Sequence, residues 1–244
     1  MRIIHLTDLH IGKAGEDTRG VDVRANFQTL LASIRPLKPD HIIITGDLCY
    51  REGDLDIYRW IKLQLDHNKI PYDVIAGNHD DSALLAVAFE QTAFLQEGTL
   101  FFLRDLHGQR LLFLDTATDA LSLTQQIWLQ AQLQESARLT LIWMHHPPLL
   151  ADVPYMDMHY PLHNWEAVQA ILLAHPGPIH VFCGHYHVEK TIQQSGLHVY
   201  ITPSTFFQLD PFRSDFAVDH HRPGFRIVDI ADETVRHTVR YLNR

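Results

Sequence analysis

Residues 1–10, Met1-Arg2-Ile3-Ile4-His5-Leu6-Thr7-Asp8-Leu9-His10, form a short apolar run that ends on a carboxylate and an imidazole two positions apart. The pattern recurs along the chain. His41–Thr45 leads into Gly46-Asp47, and Tyr72–Ala76 into Gly77-Asn78-His79-Asp80. Further on, Thr140–Met144 leads into His145-His146-Pro147-Pro148, and His180–Cys183 into Gly184-His185-Tyr186-His187. Short runs rich in Ile, Val, Leu and Phe, closed by polar or turn residues, read as buried strands. In open α/β sheets the carboxyl ends of the strands share one edge, where ligands bind. Five clusters far apart in sequence are therefore expected on one surface.

The stretches between the runs read as helices. Val23, Phe27, Leu30, Leu31 and Ile34 recur at helical spacing, with Pro36 closing the run. Leu55, Tyr58, Ile61, Lys62 and Leu65 repeat the pattern behind Gly53-Asp54. Ser122 is placed to cap a helix carrying Ile127, Trp128 and Leu133, and Trp165–Ala174 suggests another. Leu111–Leu114 is a further strand. From about Lys190 onward the chain reads as paired strands at Thr191–Gln194, His198–Ile201, Phe225–Ile230 and Val235–Tyr241. No repeat, low-complexity block or Gly/Ser linker divides it. Residues 1–244 are expected to form one α/β domain, with βαβ units first and β-rich structure last.

Composition narrows the function. A chain of 244 residues with 46% hydrophobic content buries a substantial core, which excludes general disorder. A formal charge of −9 argues against a broad grip on nucleic acid, since phosphate backbones are held by Lys and Arg. It does not argue against a phosphate substrate, because bound cations outweigh local protein charge. Only Cys49 and Cys183 occur, which fits free thiols in a reducing compartment, so the protein is expected in the cytoplasm. The apolar start is too short for a secretory segment or a membrane span.

The 18 histidines matter only where chemistry needs them. Carboxylate oxygen together with neutral imidazole nitrogen suits Mn, Fe, Zn, Co or Ni, and no cysteine sits in the clusters to suggest a structural zinc knuckle. In Asp8-Leu9-His10 and His185-Tyr186-His187 the donors are two residues apart, so on extended chain both would point the same way. Each cluster alone is a turn, cap or loop entry. Five in this order, each directly behind an apolar strand, point to a metal site.

At these residues the chain resembles the calcineurin-like metallophosphoesterase superfamily, whose ordered motifs D-x-H, G-D, G-N-H-D or G-N-H-E, a lone H, and G-H-x-H are all intact between Asp8 and His187. The resemblance implies a four-layer α/β/β/α sandwich with mixed sheets and two divalent or trivalent transition-metal ions. One ion would be held by Asp8, His10, Asp47 and His187, the other by Asp47, Asn78, His145 and His185, with Asp47 shared. His79 would be the catalytic residue, facing the substrate phosphate. Of the adjacent pair, His145 is assigned as ligand by analogy with related H-H-P-P runs, which leaves His146 to orient the loop. Asp80 would either orient His79 or cap the next helix, the cap being preferred.

A narrower resemblance is to the class III cyclic-nucleotide phosphodiesterases. It rests on His145-His146-Pro147-Pro148, Tyr155-Met156-Asp157, Thr202-Pro203-Ser204-Thr205 with Gln208, and Ser214-Asp215-Phe216 leading to Pro223-Gly224-Phe225-Arg226. It implies a small phosphodiester substrate, cAMP opened to AMP, attacked by a hydroxide formed between the two ions. Tyr155, Met156, His159 and Tyr160 offer surfaces on which a base would stack, or else pack the loop onto the domain or a second subunit. Glycerophosphodiesterases share the layout and are the alternative. A nuclease of the same superfamily is disfavoured by the acidic balance, and a non-catalytic scaffold by the intact ligand set. A homodimer remains open; no membrane or nucleic-acid partner is expected.

Overall fold

The apolar runs fold as strands, and the first of them becomes the centre of a sheet. The computed structural model describes residues 1–135 and 139–242. β1 (Arg2–Leu6) is followed by α1 (Val23–Ile34), β2 (His41–Thr45), α2 (Leu55–Asn68) and β3 (Tyr72–Ile75). Next come α3 (Ser82–Ala88), the small hairpin β4 (Leu95–Gln96) and β5 (Thr99–Leu100), then β6 (Phe102–Leu106) and β7 (Gln109–Phe113). α4 (Leu123–Gln134) precedes β8 (Thr140–Trp143), and α5 (Pro154–His159) and α6 (Trp165–Leu173) precede β9 (Ile179–Cys183). The chain closes with β10 (Lys190–Gln194), β11 (Leu197–Ile201), β12 (Gln208–Leu209), β13 (Val218–His220), β14 (Gly224–Ala231) and β15 (Thr234–Tyr241).

Two mixed sheets result. The first runs β15-β14-β1-β2-β3, with β1, β2 and β3 parallel and the C-terminal hairpin antiparallel beside β1. The second runs β10-β11-β9-β8-β7-β6, parallel through β11, β9, β8 and β7 with an antiparallel strand at each edge. Cross-sheet contacts show that they lie face to face. The His5 ring of β1 sits 5.1 Å from Trp143 of β8 and 6.2 Å from Phe182 of β9. Arg226 of β14 donates to the Ile201 carbonyl at 2.8 Å and to Thr202 at 2.9 Å. Alternation turns Ile4 and Leu6 to the opposite face, where both are fully buried. The helices therefore lie outside, giving the expected helix, sheet, sheet, helix order.

Caps start the helices where the chain provides an acceptor. Asp22 accepts from the Ala25 amide, Asp54 from Asp56 and Ile57, and Ser122 from Gln125, which bears out the expected cap of α4. The apolar stripe of α1 (Val23, Phe27, Leu30, Leu31, Ile34) is buried as its spacing requires. The buried face of α4 differs in part from expectation: Leu133 is buried, but Ile127 is 60% exposed, and Gln125 and Leu129 are buried in its place. The cause is polar. The Gln125 side chain donates to the Asp115 carbonyl and accepts from the Asp115 amide, both at 2.8 Å, which turns the helix toward β7. Edge strand β6 and short helices α3 and α5 have no clear sequence pattern, because mixed polar residues or few turns blur their periodicity. Cys49 and Cys183 are both free and buried. Among the described residues no helix is long and apolar enough to cross a membrane.

Candidate metal centre

All five polar clusters lie behind parallel strands: β1, β2 and β3 of one sheet, β8 and β9 of the other. Because the sheets face each other, their carboxyl ends meet, and the donors converge across the seam. Donor atoms of Asp8, His10 and His187 lie within 4.8 Å of one another, as do those of Asp47, His145 and His185, and those of His10, Asp47 and His79. His145 Nε2 is 3.2 Å from Asp47 Oδ1 and 3.2 Å from Asn78 Oδ1. His187 Nε2 is 3.4 Å from Asp8 Oδ1 and 3.0 Å from His10 Nε2, itself 3.6 Å from Asp47 Oδ2. Asp47 thus stands between the two groups, one oxygen toward each.

The backbone achieves this differently from an extended chain. Asp8 (φ 54°), His10 (φ 47°), Asp47 (φ 50°), His185 (φ 66°) and His187 (φ 51°) are all left-handed. Each such residue costs roughly 1–2 kcal/mol, so neighbouring contacts must hold it. The amides of Asp8 and His10 donate to the carbonyls of Gly46 (3.0 Å) and Asp47 (2.9 Å). Ser204 and Thr205 hydroxyls donate to the Asp8 carbonyl at 3.0 and 3.2 Å. The Thr202–Gln208 segment therefore buttresses the Asp8 turn, and Gln208 secures it by bonding both the amide and the carbonyl of Ser204. Between the paired donors, Leu9 and Tyr186 are fully buried. Gly77 is required because a Cβ there would strike Asp47 Oδ1.

Hydrogen bonds set the ring tautomers. A carbonyl only accepts, so His145 Nδ1 donates to Thr45 (2.7 Å) and His187 Nδ1 to Phe207 (2.9 Å), turning both Nε2 atoms inward. His185 Nε2 donates to the Tyr160 carbonyl at 2.9 Å, freeing Nδ1. His10 Nδ1 is buried with no partner. Burial alone would raise both carboxyls, but His187 beside Asp8 and His145 beside Asp47 hold them below the usual carboxylate range. Burial lowers His10 to about 3 and keeps His185 neutral, whereas for His145 the pull of Asp47 and Asp8 outweighs burial and raises it to about 9. Two carboxylates ringed by imidazoles, each turning a nitrogen inward, form a donor set that fits a pair of transition cations, whose binding would displace the proton that His145 carries without them.

The remaining expected residues separate. His146 turns away: Nε2 donates to Asp119 at 3.1 Å and Nδ1 bonds the Thr116 hydroxyl at 2.8 Å, so neither nitrogen is free, although its ring lies 4.0 Å from that of His185. Asp80 neither caps α3 nor touches His79. The cap is Asp81, which accepts from the Leu84 amide. Asp80 instead accepts from the amides of Gly77 (2.9 Å), Leu48 (3.1 Å) and Cys49 (3.1 Å) and from the Tyr58 hydroxyl (3.0 Å), tying the loops behind β2 and β3 together. His79 is oriented by the Arg51 carbonyl, to which Nδ1 donates at 2.9 Å. Tyr155, Met156 and Tyr160 line the open cleft above the donors, but His159 packs outside it, 5.1 Å behind Tyr155. Asp157 accepts from the Tyr186 hydroxyl at 2.8 Å, fastening that loop to the segment between His185 and His187.

The cleft has a volume of about 570 Å³ and is walled also by Arg19, Tyr50, Phe206, Phe207 and Phe216. Arg19 and Tyr50 carry no sequence signal, Phe206 and Phe207 stand directly behind Thr205, and Phe216 lies in the Ser214-Asp215-Phe216 stretch quoted for the narrower resemblance, with no role assigned to it there. A Danio rerio dimetal phosphatase superposes with a TM-score of 0.67 over 93% of this chain and 94% of its own, at 15% identity, a likeness of fold. A Fibrobacter succinogenes protein named "probable cyclic nucleotide phosphodiesterase" is 32% identical over 100% of this chain and 94% of its own. The Escherichia coli K12 3′,5′-cyclic adenosine monophosphate phosphodiesterase CpdA is 29% identical over 96% of this chain and 87% of its own. The sequence pattern of calcineurin-like phosphoesterases matches residues 1–189, the span that includes every converging donor. The chain belongs to the calcineurin-like phosphoesterase family.

Proposed function

We propose that this protein hydrolyses a small phosphodiester bearing a flat base, 3′,5′-cyclic AMP, to AMP. The observation that carries the reading is the make-up of the cleft, which has a floor of phosphate-directed donors and a wall of aromatic rings from Tyr155, Phe206, Phe207 and Phe216. A nucleoside base stacks flat on such a wall, whereas a glycerophosphodiester presents no planar ring to it. The similarity to proteins named as cyclic-nucleotide phosphodiesterases supports the same substrate class.

Asp8, His10, Asp47 and His187 would hold one ion, and Asp47, Asn78, His145 and His185 the other. When bound, such ions neutralise phosphate oxygens and lower the pKa of an attacking water. The other contributions come from the chain. Ring opening joins a water oxygen to phosphorus and breaks the bond to O3′, which needs a proton as it leaves. His79 is placed for this, since its Nδ1 is engaged by Arg51 and its Nε2 lies 4.0 Å from Asp47 Oδ2, facing the donors. Asp80 and the Ser204–Thr205 hydroxyls hold the donor loops, while the Tyr186–Asp157 bond positions the aromatic loop over them. The test is kcat/KM for cAMP, 2′,3′-cAMP and glycerophosphodiesters with Mn²⁺. cAMP is expected to lead; a hundredfold preference for glycerophosphodiesters would overturn the substrate and leave the hydrolase intact.

A further inference from the structure

We propose that Arg19 is a specificity-determining residue that reads the edge of the substrate's base, with Phe207 and Phe216 as the faces that hold it. The inference rests on the cyclic-nucleotide reading above and adds a residue and a base preference to it.

Arg19 lies in the loop between β1 and α1 and lines the cleft. Its guanidinium carbon is 5.1 Å from the centroid of Phe216 and 6.0 Å from that of Phe207. Phe207 in turn packs 4.7 Å from the His187 ring, so Arg19 stands one aromatic ring away from the donor cluster. The loop is built to hold the residue there. Thr18 is buried, its hydroxyl donates to the Val21 carbonyl at 2.5 Å, and the Gly20 amide donates to Asp17 at 2.8 Å, with Arg19 itself left-handed at φ 53° between them.

The charge of Arg19 is also unclaimed. Arg51, which also lines the cleft, is engaged by Glu16 at 2.6 Å. Among the described residues no carboxylate lies within ion-pair distance of Arg19, whose contacts are the two aromatic faces. A guanidinium stacked on rings keeps its N–H edge free to donate.

The chemistry of that edge sets the preference. A guanidinium offers donors only. Guanine presents two adjacent acceptors, N7 and O6, and takes a bidentate pair of bonds; adenine presents the N7 acceptor beside the N6 donor and takes one. Arg19 should therefore support a purine over no base at all, holding adenine through N7, and should extend the substrate class to the guanine cyclic nucleotide, whose edge it grips more strongly.

The test compares wild type, Arg19→Ala and Arg19→Lys as binders of GMP, AMP and ribose 5-phosphate, by calorimetry and by inhibition of bis(p-nitrophenyl) phosphate hydrolysis. All three probes share the phosphate, and only two carry a base. Arg19→Ala is expected to weaken GMP roughly tenfold or more and AMP by a smaller factor, leaving ribose 5-phosphate within about twofold. Arg19→Lys keeps the charge but not the fork, and should behave like Arg19→Ala toward GMP. Equal losses on all three probes would assign Arg19 to the phosphate and overturn the proposal, as would no loss on any. If wild type fails to open cAMP while the GMP effect holds, the cyclic-nucleotide reading falls and the base-reading arginine stands. If cAMP is opened and Arg19→Ala changes nothing, the reverse is true.

Discussion

Replacing Asp80 by Asn keeps its shape and reverses half of its chemistry. The carboxylate accepts from four donors, Oδ2 from the amides of Gly77 and Leu48, Oδ1 from the amide of Cys49 and the hydroxyl of Tyr58. An amide side chain has one acceptor end. With its oxygen toward Gly77 and Leu48, its NH₂ meets the Cys49 amide; flipped, it meets two amides. The Tyr58 hydroxyl can rotate to accept, so the better orientation leaves one backbone N–H opposed and converts charged hydrogen bonds to neutral ones. An unsatisfied buried donor costs about 1–3 kcal/mol, and each lost charge assistance adds to it. The expected destabilisation is about 2–4 kcal/mol, measured by guanidinium unfolding of the metal-free protein at pH 8. Burial and the nearby Asp47 raise Asp80 to about 6, so at that pH the wild-type group is ionised. The same bonds tie the loop carrying Asp47 to that carrying Asn78, so metal affinity, read by chelator competition, should fall about 10–100-fold. A variant within 0.5 kcal/mol of wild type (about the scatter of neutral surface changes), with unchanged metal affinity, would refute the assigned role.

Asp47→Ala should lose both ions, from about two transition metals per chain, whereas His67→Ala on the outer face of α2 should keep them; elemental analysis decides. His79→Ala should retain its metals and lose roughly 10²–10⁴-fold in kcat, with a smaller loss on nitrophenyl esters, whose leaving group needs no proton. Equal losses on alkyl and nitrophenyl esters would assign His79 to phosphate binding. Burial, and then His198, lower His180 from 6.5 to about 4. The unfolded chain therefore takes up this proton first, and stability present above pH 6.5 is lost as pH falls toward 4. The loss is expected at about 1–2 kcal/mol once partial exposure of the ring is allowed for. His180→Gln should flatten that part of the pH–stability curve, and an unchanged slope would exclude the residue as its source.

What could be read from the sequence was local. β1, β2, β3, β8 and β9 each announce themselves by a short apolar run, and each run's end carries candidate donors; the choice of Asp8, His10, Asp47, Asn78, His145, His185 and His187 among them is what the family resemblance implies. What could not be read depends on residues distant in the chain or on single dihedral angles. The cap of α3 is Asp81 and not Asp80, an offset of one position that turns on which carboxylate the Gly77 and Leu48 amides claim. His145 and His146 are alike as letters; only Thr45, Thr116 and Asp119 distinguish inward from outward. The direction of Arg19 follows from one left-handed φ that a neighbouring turn imposes. Ser204 and Asp8 lie at opposite ends of the sequence, and no local pattern joins a hydroxyl to a carbonyl across such a distance.

The grip of Ser204 and Thr205 on the Asp8 carbonyl, together with the pairing of β14 against β1, has a consequence for how the protein is made. Synthesis runs from the N-terminus, so a nascent chain that has just released His187 already contains every donor but not the segment that steadies the first of them. At that moment one side of β1 is an open edge, which invites pairing with other chains. Closing it demands a pairing of Arg2 with Asp229, residues very far apart along the chain, the slowest kind of contact to form. Cation capture is therefore expected to be tight only in finished chains. A truncated chain ending near residue 200, free of the ribosome, would be the species to examine for weak metal retention and for aggregation.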